Sequence, residues 1–245
     1  MLKNSIYFTL VIILTNCNPK DCFESTGKIV QQEVVLEVFT KILVSNEISL
    51  ILKQGEEQNV IIETGENLLN EISASVIGDQ LIVEDNNGCN FSREYALTRI
   101  IVTSPNITEI RANTSRSIKS DGILEYPNLL LLSENFNSDF LSIADFDLTI
   151  NNQSLRVSAN GNSVFKINGV TENLTIGFFA GSSRFEGQDL IANTVAVTQK
   201  SSNDMLVNPI QKIEGTIFST GDVISFNQPD IINVEALYTG ELIFN

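Results

Sequence analysis

No histidine occurs anywhere in the 245 residues, which removes Ser-His-Asp and Cys-His catalysis together with the commonest zinc ligand. Any chemistry would have to rest on carboxylates, Lys, Arg or Tyr. Tryptophan is missing as well, and beyond Tyr7 the tyrosines are Tyr95, Tyr126 and Tyr238, each alone, so the sequence offers few rings for stacking on sugars. Basic residues are scarce, 15 against 30 acidic ones for a formal net charge of −15. A nucleic-acid binder needs clustered Lys and Arg to displace counterions, and here they are scattered singly. No nucleic-acid partner is expected, and the same field repels polyanionic sugars. The longest apolar run near the start, Ile6 to Leu14, holds about nine residues and falls short of the roughly 20 that span a bilayer as a helix. Neither a Gly-rich phosphate loop nor the spacing of a calcium-binding EF-hand loop is present.

What is there at the start is an export signal: Lys3 precedes the apolar run, which turns polar at Thr15-Asn16-Cys17. Leu14-Thr15-Asn16-Cys17 resembles the lipobox of bacterial lipoproteins, with Asn16 where that motif usually has Gly, Ala or Ser. The resemblance implies cleavage after residue 16 and lipidation of Cys17, a membrane attachment through an amino-terminal lipid. Each buried methylene of an acyl chain contributes about 0.8 kcal/mol, so a multiply acylated terminus would hold firmly. The expected organisation is a lipoprotein signal peptide at 1–16, a tether at 17–28 and one domain at 29–245, with amino-terminal strands at 29–104 and repeat coils at 105–245. The mature chain carries 14 basic and 30 acidic residues, a charge of −16. Of the three cysteines, Cys22 and Cys89 remain once Cys17 is taken, and an oxidising compartment favours their pairing. Such a disulfide closes 67 positions of chain and contributes about 4 kcal/mol through the entropy of the unfolded state.

From Leu155 onward one short phrase returns. Leu155-Arg-Val157, Leu174-Thr-Ile176, Val195-Ala-Val197 and Ile213-Glu-Gly215 open units 19, 21 and 18 residues apart. Each is followed by a small turn (Gly161, Gly181, Ser201, Gly221) and a second strand centred on Phe165, Phe185, Leu206 and Ile224. A period in this range marks coils that cannot bury their own apolar side and must stack, like positions above like at about 4.8 Å. The expected fold is all-β, a β-solenoid, with Gly215 the one break in its column. A two-sheet sandwich competes poorly, since it requires no such recurrence. Looser repeats precede these, at Ile107-Thr-Glu-Ile110, Leu129 to Leu132, Leu141-Ser-Ile143 and Leu148-Thr-Ile150.

Upstream, alternating runs predict strands at Val34 to Val38, Ile42 to Val44, Ile48 to Leu52, Val60 to Ile62, Ile72 to Val76, Leu81 to Val83 and Ile100 to Val102. Gln54-Gly55, Thr64-Gly65, Gly78-Asp79 and Asn87-Gly88 mark turns between them. Glu66 to Ile72 has the pattern of about one helical turn. Exposed terminal strands invite aggregation, so the amino-terminal strands are expected to cover one end of the stack, and acidic side chains to discourage pairing elsewhere. Val234 to Phe244 reads as a last, half-finished coil.

Asp139, Asp145 and Asp147 are the best acidic candidates. Asp145 and Asp147 lie two apart on one side of a strand, the spacing of a calcium cradle or a carboxylate pair for sugar hydrolysis. A solvated outer face between inward Phe140, Phe146 and Leu148 explains them better. Asp85-Asn86-Asn87-Gly88 reads as a tight turn rather than a metal loop. A lyase would need basic groups near the acids, and Arg156, Lys166 and Arg184 fall in different columns. The sequence therefore assigns no catalytic residue, no cofactor and no metal. It points to a non-enzymatic protein presenting a surface to a protein or glycan ligand, with a carbohydrate-active enzyme as the alternative.

Cys22-Phe-Glu-Ser-Thr-Gly27, Phe39-Thr-Lys-Ile-Leu-Val44, Leu50-Ile-Leu-Lys-Gln-Gly55, Thr64-Gly-Glu-Asn-Leu-Leu69 with Gly78-Asp-Gln-Leu-Ile-Val83, and Asn86-Asn-Gly-Cys-Asn90 occur in that order. Together they resemble the putative auto-transporter adhesin head GIN domain family, formerly a domain of unknown function. The resemblance spans roughly Cys22 to Phe244. It implies a right-handed parallel β-helix with amino-terminal strands joined to it, in proteins exported to the cell envelope of Gram-negative bacteria, on the periplasmic or outer side of the outer membrane. Members often carry the cysteine pair found here at Cys22 and Cys89. Adhesion enters by analogy only, since a fold does not prove a function. Where relatives have Gly-Ser-Gly turns this chain has Asn113-Thr-Ser115, Ala159-Asn-Gly161 and Ala180-Gly-Ser182, and Asn tolerates positive φ well enough to shape them.

Overall fold

Alternation of β-branched and polar residues does produce strands almost throughout the computed structural model, which describes residues 25–88, 97–136 and 140–245. Cys17, Cys22, Cys89, Tyr95 and Asp139 lie outside the described residues. The first ten strands are β1 (Ile29–Val34), β2 (Lys41–Asn46), β3 (Ser49–Gln54), β4 (Asn59–Gly65), β5 (Ile72–Ile77), β6 (Gln80–Asp85), β7 (Arg99–Ser104), β8 (Glu109–Thr114), β9 (Ser117–Leu124) and β10 (Asn128–Ser133). Four long strands follow, β11 (Asp145–Ala159), β12 (Val164–Phe178), β13 (Arg184–Gln199) and β14 (Met205–Ile217), then three short ones, β15 (Val223–Ser225), β16 (Ile231–Ala236) and β17 (Leu242–Phe244). Among the described residues the only helical element is one 3-10 turn at Leu69–Glu71, where the sequence suggested a turn.

The predicted files form in register. Leu129, Leu155, Leu174, Val195, Ile213 and Ile232 stand opposite one another on successive strands. On the other side of the core a longer file runs Ile62, Ile100, Leu50, Ile118, Phe146, Phe165, Phe185, Met205, Val223 and Leu242. Nearly all of these side chains are buried, and Phe146 stacks on Phe165 with ring centres 4.7 Å apart. Full burial of one such side chain is worth about 1.5–3 kcal/mol, so the files are the main cohesive element of the fold. The expected column through Leu206 and Ile224 is corrected by one residue: Met205 and Val223 face the core, while Leu206 stands opposite Glu186. Phe185 stands opposite Met205, and the register shifts only beyond Glu186; an offset of one residue exchanges the two faces of a strand.

The expectation of a right-handed parallel β-helix is corrected to a coarser statement. Among the described residues the chain is all-β, on one mixed 17-stranded sheet. Pairing is parallel through the repeat half, but β1–β4, β4–β7 and β5–β6 are antiparallel. For β5–β6 the reason is local. Gly78, at φ 66°, and Asp79 join β5 to β6 with Ile77 opposite Gln80, a two-residue link that folds a strand back on itself where parallel strands need a long crossover. Other differences are small. β1 lies five residues before its predicted start, leaving Val35 and Val38 exposed; β9 was not foreseen; and Leu141 to Ile143 is irregular.

Turns are tied by a buried serine series. Ser133 and Ser163 share a hydrogen bond of 2.6 Å, Ser163 N donates to Ser183 Oγ at 3.2 Å, and Ser201 Oγ donates to the Ser183 carbonyl at 2.7 Å. Gln199, which shares its file with Ser133, Ala159, Phe178 and Ile217, is satisfied by donating to the Asn203 carbonyl at 2.7 Å and accepting from Ser201 N at 3.0 Å.

Candidate functional site

Outward-facing charges alternate in sign along the stack. Asp147 stands opposite Lys119 on one side and Lys166 on the other, and Lys166 opposite Glu186. The Lys166 ammonium lies 3.9 Å from Asp147, and Arg184 is held by Glu186 at 2.9 Å and Asp204 at 3.4 Å. Ser117, Lys119, Asp145, Asp147, Lys166 and Glu186 line an open depression of about 280 Å³, and Arg184 and Asp204 lie outside it. Arg156 is elsewhere, opposite Leu130 and Thr175 and beside Thr108, Asn128 and Ser154. The two carboxylates and the two arginines do not converge. An exposed ladder of ion pairs contributes little per pair, and it sets register and solubility rather than poising an acid and a base. Among the described residues no three of His, Cys, Asp and Glu are placed to hold a metal. In the Asp85 turn, Asp85 Oδ1 accepts from the backbone N and the Nδ2 of Asn87, both at 2.8 Å, so this carboxylate shapes a turn.

A different feature was missed by the sequence reading. At the ends of β12, β13, β14 and β16 the residue after the strand turns to solvent: Phe179 follows Phe178, Lys200 follows Gln199, Phe218 follows Ile217 and Leu237 follows Ala236. Their backbone amides donate to Ala159, Phe178, Gln199 and Ile217 in turn, at 2.9, 2.9, 2.7 and 2.8 Å. They are therefore spaced one strand apart, about 4.8 Å. Phe179 is 41 % exposed, Phe218 42 % and Leu237 55 %, and Tyr238, next to Leu237 in the chain, is 66 % exposed. Phe136 joins from the side, edge to face with Phe179 at 5.7 Å, and the Lys200 ammonium sits 4.9 Å over the Phe218 ring. The result is a rigid apolar strip with one cation in it. A contiguous exposed apolar patch on a soluble face marks an interaction site far better than scattered side chains do.

The signal was present as adjacent apolar pairs. In a strand of period two, Phe178-Phe179 and Ile217-Phe218 cannot both point inward. Tyr126, counted from the sequence as one of the few available rings, is fully buried. Its hydroxyl donates to the Lys53 carbonyl at 3.3 Å, and burial pushes its pKa up to about 12.

The sequence profile described as "Putative auto-transporter adhesin, head GIN domain" matches residues 38–229. Among solved structures, a putative adhesin from Bacteroides fragilis superposes with a TM-score of 0.79 at 17% identity, covering 91% of this chain and 100% of that one. A putative adhesin from Parabacteroides merdae gives 0.62 at 14% identity, covering 89% and 97%. A putative lipid binding protein from Parabacteroides distasonis gives 0.62 at 13%, covering 89% and 97%. At these identities the likeness is one of fold. No curated protein matches the chain.

Proposed function

The chain belongs to the putative auto-transporter adhesin, head GIN domain family, and from that premise we propose that it is a non-enzymatic binding protein of the cell envelope. In this reading Cys17 carries the lipid anchor, residues 18–28 are the tether, Cys22 and Cys89 are disulfide-linked, and the parallel stack winds as a right-handed β-helix that holds its binding face away from the membrane. The observation that carries the reading is the strip Phe136, Phe179, Phe218 and Leu237 with Lys200 among them. Its chemistry favours a protein ligand over a glycan. Phenylalanine brings large apolar area but no group to bond sugar hydroxyls, whereas clustered aromatics are enriched at the centres of protein interfaces. The putative adhesins of similar fold support the surface role by analogy.

Bacteria displaying the wild-type chain are compared with bacteria displaying Phe179→Ser/Phe218→Ser on surfaces coated with matrix proteins or with protein-free glycans. Retention on protein is expected to fall about tenfold in the variant, the loss typical when two central anchors are removed, while the variant stays folded with a melting temperature only a few degrees lower, because both rings lie outside the core. Equal retention of the two strains would refute the face. Labelling with radioactive fatty acid is expected in wild type and absent in Cys17→Ala; label persisting in the mutant would refute the anchor.

A further inference from the structure

The two ends of the stack differ. At one end the antiparallel strands β1, β4 and β5 lie against the first parallel strands. At the other, among the described residues, β16 pairs only with β14, and β17 only with β15. The inward files reach this end without cover. Ile213 is 0 % exposed and its successor Ile232 42 %; Ile217 is buried and its successor Ala236 exposed; Ser225 is buried and its successor Phe244 39 % exposed.

The backbone is open too. Leu237 N donates to Ile217 O at 2.8 Å and Asn245 N to Ser225 O at 2.9 Å, while Glu241 O accepts from Val223 N at 2.9 Å. In a parallel ladder the N–H and C=O of one residue point the same way, and successive residues alternate. Ile231, Asn233 and Glu235 therefore bond toward β14. Ile232, Val234 and Ala236 present both groups away from the sheet, as do Leu242 and Phe244. A six-residue strand with an apolar inner side and a free ladder is a template for another strand.

Charge says which strand. From Ile213 to Asn245 the sequence contains no Lys or Arg, and Asp230, Glu235 and Glu241 are exposed around the open edge. A second copy of this chain would bring the same three carboxylates against them, so the edge disfavours self-pairing. An extended segment that alternates apolar residues with Lys or Arg matches both the open file and the acidic border. We propose that β16 is a docking edge for such a basic, extended polypeptide segment, which adds to Ile232, Val234 and Ala236 as a further strand. This edge meets the aromatic strip at Leu237, but it rests on different groups, the free backbone of Ile232, Val234 and Ala236, and so stands or falls independently of the strip's rings.

The test uses the full chain and a fluorescein-labelled synthetic peptide alternating lysine with valine and isoleucine. Saturable binding is expected to wild type, and none to a peptide of equal charge with proline at alternate positions. Val234→Pro removes an N–H that no bond in the fold uses, so an edge strand tolerates it; the melting temperature is expected to hold while peptide affinity drops at least about tenfold. Glu235→Gln/Glu241→Gln is expected to weaken binding and flatten its salt dependence. Independently of any variant, amide exchange at Ile232, Val234 and Ala236 is expected to slow when the peptide is added to wild type. Binding of the proline peptide as tightly, unchanged affinity in a folded Val234→Pro, unchanged exchange at the three amides, or pairing of two copies of the chain through this edge would each overturn the proposal.

Discussion

Phe165→Ala is expected to destabilise the protein by about 3–5 kcal/mol, the cost of deleting a buried aromatic ring and leaving the cavity behind. Phe165 is completely buried, its ring stacked on Phe146 at 4.7 Å and 13° and tilted against Phe178 at 5.8 Å. It joins strands above, below and across the core, so no single neighbour can collapse into its place. Aromatic pairing adds about 0.5–1.5 kcal/mol beyond the buried area. Thermal unfolding read by circular dichroism is expected to shift down by on the order of 10 °C. Phe179→Ala is the internal contrast. Phe179 is next to Phe178 in sequence but faces solvent, and its loss is expected to cost only about 0.5–1.5 kcal/mol, the worth of its edge contact with Phe136. Equal losses at the two positions would contradict the assignment of inward and outward faces.

Gly215→Val is expected to destabilise by about 2–4 kcal/mol although it places a fitting side chain in the apolar column, combining backbone strain with overpacking. From the repeat alone the substitution looks favourable, since Gly215 follows Val157, Ile176 and Val197 in register and precedes Val234. The backbone decides otherwise. Gly215 has φ 135°, a conformation that L side chains rarely adopt, and a Cβ there would overlap the Val197 carbonyl oxygen. Chemical denaturation with an unchanged m-value checks the prediction, and a midpoint at or above that of wild type would refute it.

These residues also show what was legible beforehand. The file through Leu155, Leu174, Val195 and Ile213 could be read because stacking imposes one apolar choice at the same point of every unit. The short amino-terminal strands could be read because alternation is local. Gly215 looked like a break because its cause is a backbone approach between strands, which leaves no pattern in side-chain type. The slip at Leu206 was hidden because Met205-Leu206-Val207 is apolar at all three positions and fits either register. Antiparallel pairing among β1, β4, β5, β6 and β7 depends on which strands meet, and alternation carries no information about partners. The carboxylates Asp145 and Asp147 were correctly placed on an outer face, but the aromatic strip was overlooked because phenylalanine in a β-rich chain is usually core.

The vertical registration of strands underlies both the binding strip and the open edge, and methyl–methyl nuclear Overhauser contacts measure it directly. Cross-peaks are expected between Leu155 and Leu174, between Leu174 and Val195, and between Val195 and Ile213, with none between Leu155 and Ile213, which lie three strands or about 14 Å apart. A missing contact between neighbours, or a direct one between Leu155 and Ile213, would contradict the stacked arrangement.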